Sequence, residues 1–149
     1  MSAINFVPVA RLVEQADDRL AHVEGHSLEK LVGLLYEERS RKGLGDFALT
    51  ARIQGFWDRG DTEIDLVALN ETDRTIRFGT CKRNAERLVS DISVLDGHVT
   101  RFLAAHPRYA GWRVEKVGIA PVISSALRAR LVAAEHLAQD LADLTAEFH

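Results

Sequence analysis

The sequence predicts an α/β fold in which helices flank a central, mixed four-stranded sheet. Apolar residues recur at helical spacing before about residue 41, alternate as in strands between about residues 47 and 82, and return to helical spacing afterwards. The 149 residues are 46% hydrophobic and include 10 Gly and 3 Pro, which is ordinary for a globular domain that buries its own core. No Gly-, Ser- or Pro-rich linker divides the chain, so residues 1–149 are expected to form a single domain.

Two helices are expected before the sheet, an N-terminal one over about residues 9–23 and a second over about residues 27–41. Each has an apolar stripe with a spacing of three to four residues and ends near a glycine. The stripe of the second helix consists of Leu28, Leu31, Val32 and Leu35.

Three strands are expected next, within about residues 47–57, over 63–69 and over 75–82. The turn-forming residues between them predict an antiparallel meander. Strict alternation in the second strand predicts three side chains on one face of the sheet: Ile64, Leu66 and Ala68.

After the meander the chain is expected to return to helix. One long helix is predicted over about residues 84–106, followed by a buried fourth strand over about 114–122. Extra C-terminal helices are predicted over about residues 124–148, because leucines recur there at helical spacing. Helices on both sides of the strands would cover both faces of the sheet.

The hairpin of the second and third strands carries the residues with the clearest chemistry. Its turn is expected to place Asp65 opposite Thr80, with Lys82 two residues farther along the same face. Glu63 lies one step from Asp65 on its strand. A carboxylate beside a lysine suits phosphodiester chemistry, because carboxylates bind Mg²⁺ while a lysine can place positive charge near a phosphate or orient water.

Three short segments carry a resemblance to a known family: Phe56-Trp57, Glu63-Ile64-Asp65 and Gly79-Thr80-Cys81-Lys82. They resemble the PD-(D/E)XK nuclease superfamily and, more closely, the uncharacterised domain fused to the C-terminus of archaeal-type P-loop ATPases. The resemblance implies a restriction-endonuclease-like core of helix, three strands, helix and strand over about residues 27–122, with Mg²⁺-dependent hydrolysis of DNA phosphodiesters. It implies that Asp65 is a metal ligand and that Lys82 contacts the phosphate or the attacking water. Glu29, on the first core helix, matches the auxiliary acid of many members.

Thr80 departs from the pattern of that superfamily, whose second acid stands two residues before the lysine. A neutral hydroxyl is a poor Mg²⁺ ligand beside a carboxylate. Three replacements remain open, namely the carboxylate of Glu29, the carboxylate of Glu63 and the main-chain carbonyl of Cys81. The sequence therefore leaves two functions open: a Mg²⁺-dependent nuclease fold with an incomplete metal site and weak or absent catalysis, or a non-catalytic module that binds nucleic acid or protein.

Structural roles also remain open for these residues. Asp65 and Lys82 can form an ordinary cross-strand ion pair, and Glu29 can be an acid favoured by the helix dipole. Phe56 and Trp57 are expected to pack on the sheet rather than to stack on bases. The thiol of Cys81, the one cysteine of the chain, alternates away from Thr80 and is expected to be buried and inert.

Charge and motifs restrict the expected partners. The net charge of -3 argues against a basic coat that binds nucleic acid non-specifically, although four arginines near the hairpin can form either a phosphate-binding rim or a solvated face. These arginines are Arg74, Arg77, Arg83 and Arg87.

The chain has no P-loop motif, so the candidate partners are DNA, a separately encoded ATPase and a second copy of the chain. No membrane association is expected, because no apolar run approaches about 20 residues. Without a basic leader before an apolar stretch, the expected location is the cytoplasm.

Overall fold

The computed structural model describes residues 26–58 and 62–148, which form a five-stranded mixed sheet with helices on both faces. The strands are β1 (Gln54–Trp57), β2 (Glu63–Asn70), β3 (Thr75–Cys81), β4 (Arg113–Ile119) and β5 (Leu137–Gln139). The helices are α1 (His26–Arg41), α2 (Ala85–Ser90), α3 (Ile92–Ala105), α4 (Ser125–Ala133) and α5 (Leu141–Thr145). Short 3₁₀ turns cover Pro107–Tyr109 and Ala146–Phe148. The N-terminal helix expected over residues 9–23 lies outside the described residues.

The strand order is β1-β2-β3-β4-β5, with an antiparallel meander followed by two parallel crossovers. The antiparallel pairing of β1, β2 and β3 confirms the predicted meander. β4 returns parallel to β3 after α2 and α3, and β5 returns parallel to β4 after α4. The mixed α/β architecture is therefore as predicted, whereas the predicted count of four strands is wrong by one.

The fifth strand lies at the start of a segment that the leucine spacing predicts as helix. Leu137 pairs with Val117 at the open edge of β4. Asp140 then begins α5 with a capping box, in which its side chain accepts from the backbone N of Asp143 and the Asp143 side chain accepts from the backbone N of Asp140. Because the cap fixes the start of the helix at Leu141, the residues before it are extended and complete the sheet.

The helix predicted over residues 84–106 is divided at Asp91 into α2 and α3. Asp91 ends α2, where its backbone N–H donates to the carbonyls of Arg87 and Val89, and α3 begins at the next residue. The two helices pack against different parts of the molecule. Leu88 belongs to a cluster with Leu131, whereas the stripe of α3 packs on the strands of the meander.

The core has two layers separated by the sheet. On one face the stripe of α1 packs with α5 against inward residues of β2, β3 and β4, and all four predicted stripe residues are buried: Leu28, Leu31, Val32 and Leu35. On the other face α3 packs Leu95, Val99 and Phe102 against β2 and β3. A fully buried side chain of this kind stabilises the fold by about 1.5–3 kcal/mol. Within the described ranges, no helix is both long enough and apolar enough to cross a membrane.

A β-bulge interrupts the alternation of β2. Gln54 pairs with Val67 while Phe56 pairs with Ile64, so Asp65 and Leu66 together face the single residue between Gln54 and Phe56. The extra residue changes the face on which the following side chains lie. Leu66 and Ala68 pack in the α1 layer, but Ile64 packs in the α3 layer, and the prediction that all three share one face is wrong.

Candidate active site

A cavity of about 450 Å³ opens at the end of the sheet where β2 and β3 separate. The register of the two strands is the predicted one, and its last pair is Leu66 with Gly79. Beyond that pair, β2 continues beside β1 and β3 continues beside β4. The gap between the strands admits side chains from α1, from both strands and from the helical segment after β3.

Asp65 bridges this gap with its carboxylate. Its Oδ2 atom accepts a hydrogen bond of 2.8 Å from the backbone N–H of Cys81 and one of 3.2 Å from Oγ1 of Thr80. The hydrogen bond from the Cys81 N–H to the Asp65 carboxylate thus replaces the next backbone–backbone hydrogen bond between β2 and β3. Asp65 is half-buried and held from two directions, which fixes its carboxylate at the wall of the cavity.

Glu29 meets Asp65 from the first turn of α1. Partial burial, the negative charge of Asp65, a hydrogen bond between the two side chains and the charge of Glu63 together raise the pKa of the Glu29 carboxyl to about 7. The positive charge of Lys82 opposes this shift. The structure therefore brings two carboxyl groups from different elements into hydrogen-bond contact at the wall of the cavity.

Lys82 lines the same cavity, and its ion pair is with Asp91 rather than with Asp65. The Lys82 Nζ atom lies 3.8 Å from Oδ2 of Asp91, and Nη2 of Arg87 lies 3.9 Å from the same oxygen. Lys82 is about 30% exposed, so its ammonium group is accessible from the cavity. The cross-strand Asp65–Lys82 ion pair that spacing alone allows is not the arrangement of these side chains.

The other two residues proposed as ligands have different environments. Glu63 is exposed at the rim of the cavity. Cys81 is buried, and burial together with the charges of Asp65 and Glu29 raises the pKa of its thiol well above the usual range. The thiol is therefore protonated near neutral pH, as expected for an inert core cysteine.

Several cavity residues were not singled out from the sequence. Asp91 and His98 reach the cavity at and after the turn at Asp91 between α2 and α3, which the expected continuous helix conceals, and Asn84 lines it from the N-cap of α2. Arg83 and Arg87, two of the four arginines near the hairpin, also line it. Arg87 and Asp91 are four residues apart, a spacing that makes side chains neighbours on a helix, and this is the one sequence signal that links the segment to the site.

Arg77, in contrast, lies in the core and takes no part in the cavity. Its guanidinium donates to both carboxylate oxygens of Asp46, at 3.1 and 3.0 Å, and to Glu115 at 3.0 Å. It also donates to the hydroxyl of Tyr36 at 3.1 Å. Partial burial opposes ionisation of Asp46, but the bonds and charge of Arg77 lower its pKa overall. This arginine is a structural cation.

Oxygen donors for a cation are present at the cavity in the form of the Glu29 and Asp65 carboxylates. Asp65 accepts at Oδ2 from Thr80 and Cys81, and its carboxyl group is also hydrogen-bonded to Glu29. Within the described ranges, no group of three or more His, Cys, Asp or Glu side chains is arranged to hold a metal ion. The donor set is thus two carboxylates, with Thr80 beside them as a neutral oxygen.

Comparison with known proteins identifies a family but no named relative. No curated protein and no solved structure matches the chain. Residues 1–92 match DUF234, a family described as archaeal and bacterial proteins of unknown function. The match covers more than half of the 149 residues and includes Glu29, Asp65, Thr80 and Lys82. The chain therefore belongs to the DUF234 family.

Proposed function

We propose that this chain is a PD-(D/E)XK-type nuclease domain that uses Mg²⁺ to hydrolyse DNA phosphodiester bonds. Glu29 and Asp65 would hold the cation, and Lys82 would contact the phosphate that is attacked. The observation that carries the proposal is the direct contact of two carboxyl groups at one wall of a cavity that also contains a lysine.

The donor chemistry of the site fits a hard divalent cation. Mg²⁺ prefers oxygen ligands and is commonly held by one or two carboxylates together with water and substrate phosphate. Two contacting carboxyl groups repel one another when both are ionised, so a cation between them would relieve an unfavourable interaction. When bound, Mg²⁺ supplies charge stabilisation at a phosphoryl oxygen and lowers the pKa of a bound water molecule.

The remaining residues bind and orient the substrate in this proposal. Lys82 presents a partly exposed ammonium group to the cavity, where positive charge can stabilise the extra charge on a phosphate during attack. Asp91 fixes the position of that ammonium group through their ion pair. Arg87, which contacts Asp91 and is 65% exposed, can contact a neighbouring phosphate of the DNA strand.

Thr80 supports a second candidate, a module that binds nucleic acid with little or no hydrolysis. The hydroxyl of Thr80 donates to Asp65, so this position consumes one of the carboxylate's acceptor sites instead of adding a second acid. The loss of one negative charge would weaken cation binding, whereas Lys82 and Arg87 would still line the cavity and could contact phosphates. The two candidates differ in turnover, not in the location of the site.

Calorimetric titration with Mn²⁺, together with a plasmid-nicking assay, tests the proposal. The wild type should bind one Mn²⁺, and Asp65→Asn should weaken the affinity at least about tenfold, which corresponds to about 1.4 kcal/mol. Thr80→Glu should strengthen Mn²⁺ binding and increase nicking, because it restores a carboxylate beside Asp65. Lys82→Ala in the Thr80→Glu background should abolish nicking.

Asp73→Asn is the matched control, because this aspartate lies in the β2–β3 turn, away from the cavity. It should bind Mn²⁺ as the wild type does. Equal Mn²⁺ affinity in the wild type, Asp65→Asn and Thr80→Glu would refute the cation site. Strengthened binding by Thr80→Glu without any nicking would refute the hydrolase and favour the binding module.

A further inference from the structure

Trp57 is exposed beside the cavity, which is unusual for the largest apolar side chain. It is 73% exposed, whereas its neighbour Phe56 is packed edge-to-face on Phe102 at a centroid distance of 4.9 Å. Adjacent residues of a strand point to opposite faces, so Trp57 leaves the α3 layer into which Phe56 packs. The expectation that both aromatic residues pack on the sheet is wrong for Trp57.

The strand register places Trp57 at the rim of the cavity. Trp57 pairs directly with Glu63 across β1 and β2, and Glu63 lines the cavity. Directly opposite side chains on neighbouring strands have Cβ atoms about 4.5–5.5 Å apart. An exposed indole therefore lies one residue away from a hollow whose lining includes the cationic groups of Lys82 and Arg87.

An exposed indole at the rim of a cavity that also contains cationic groups has the chemistry of a single-strand binding site. Cationic side chains follow the phosphates of the strand, and an aromatic face stacks on an unpaired base. A base within duplex DNA is already stacked on both sides and presents no free face to such an indole. A protein or lipid partner would not account for the cationic groups and the paired carboxyl groups beside the indole.

We propose that Trp57 is a stacking platform for an unpaired base of single-stranded nucleic acid whose phosphate enters the cavity beside Lys82. This inference rests on the proposed function and specifies its substrate class as single-stranded or unpaired rather than fully duplex nucleic acid. Trp57 binds the substrate and takes no part in the chemistry at the phosphate.

Fluorescence titration isolates this contact, because the chain has only two tryptophans. In a Trp112→Phe background the emission comes from Trp57 alone. A 12-nucleotide oligothymidylate should quench this emission, and the corresponding duplex should quench it weakly. Trp57→Ala should weaken binding of the oligothymidylate about tenfold, measured by anisotropy of a labelled strand, since one base stacked on an aromatic ring commonly contributes that much or more. Trp57→Phe should restore most of the affinity.

Val122→Ala is the control for loss of an exposed apolar side chain, since Val122 is 75% exposed and lies in the segment between β4 and α4. It should bind the oligothymidylate as the wild type does. Unchanged affinity in Trp57→Ala, or unchanged Trp57 emission at saturating oligothymidylate, would overturn the stacking site. Mn²⁺ binding measures the proposed cation site separately, because Trp57→Ala leaves both carboxylates in place. If Asp65→Asn loses Mn²⁺ binding while Trp57→Ala binds the oligothymidylate as the wild type does, the stacking site is rejected and the cation site is retained.

Discussion

Replacing Glu29 by glutamine should make the protein more stable, and the gain should be clearly larger at pH 8 than at pH 5. The folded chain raises the pKa of Glu29 from its usual value of 4.5 to about 7, chiefly through burial and the charge of Asp65. A carboxyl group with a raised pKa binds more protons in the folded state than in the unfolded state between these two values. The stability of the wild type therefore falls as the pH rises from about 4.5 to about 7, and the loss persists above that range.

The size of the effect follows from the two pKa values. A tenfold change in proton binding corresponds to about 1.4 kcal/mol, so the difference between 4.5 and about 7 sets an upper limit of about 3 kcal/mol. Glu29 is only partly buried, and solvent screening at the open cavity reduces this to about 1–2 kcal/mol. Glutamine has nearly the same shape and no charge, and its amide group can donate to Asp65.

Urea denaturation of the wild type and Glu29→Gln at pH 5, 6, 7 and 8, in chelator, measures the difference directly. The free-energy gain of the variant should grow from about 0.5 kcal/mol at pH 5 to about 1–2 kcal/mol at pH 8. Glu71→Gln, an exposed position in the β2–β3 turn, should show no such trend. A gain of equal size at pH 5 and pH 8, or a variant less stable than the wild type at pH 8, would refute the contact between Glu29 and Asp65.

Other substitutions test the packing that positions the site. Arg77→Met should lower the free energy of unfolding by about 2–4 kcal/mol, because Asp46 and the buried polar groups around it lose their cationic partner. Arg113→Ala, at an exposed position, should change the free energy of unfolding by less than about 0.5 kcal/mol. Urea denaturation compares the two, and equal losses would contradict the structural role of Arg77. Gly55→Ala should lower stability by about 1–3 kcal/mol, because its Cβ would lie 3.2 Å from a backbone oxygen of β2. Gly97→Ala in α3 should raise the free energy of unfolding by about 0.5–1 kcal/mol, because alanine favours a helix over glycine and its Cβ would meet only the end of the flexible Arg101 side chain, at 3.4 Å. The melting temperatures of the two glycine variants should therefore shift in opposite directions.

Local patterns predicted the parts of the fold that depend on neighbours in sequence. The stripe of α1 follows from the spacing of Leu28 and Leu35 with the residues between them, and the β2–β3 register follows from a short turn. Ser124 caps α4 at the start of the predicted C-terminal helical region, and its side chain accepts from the backbone N of Leu127. The contact of Asp65 with Thr80 follows from the same register.

Features set by distant segments could not be read from local patterns. Arg77 looks like an outward-facing strand residue, yet it is buried because Asp46 and Glu115 meet it from a loop and from β4. The short strand β5 depends on the open edge of β4, which no leucine spacing reveals. Asp91 interrupts an unbroken helical pattern because the residues on either side pack in different clusters.

The bulge in β2 combines a local change in the strand with a contact between distant segments, because it determines where the Asp65 carboxylate lies. In an unbroken strand Asp65 would share a face with Val67, whose side chain packs in the apolar layer under α3. A carboxylate there would lose its hydration without gaining partners, at a cost of several kcal/mol. The extra residue turns Asp65 into the gap between β2 and β3, where the backbone N–H of Cys81 becomes its partner. Gly55 favours this arrangement, since a Cβ at that position would lie 3.2 Å from the carbonyl oxygen of Asp65, tighter than an ordinary van der Waals contact. Gly55, on the edge strand β1, thus helps to position the Asp65 carboxylate although it does not line the cavity itself.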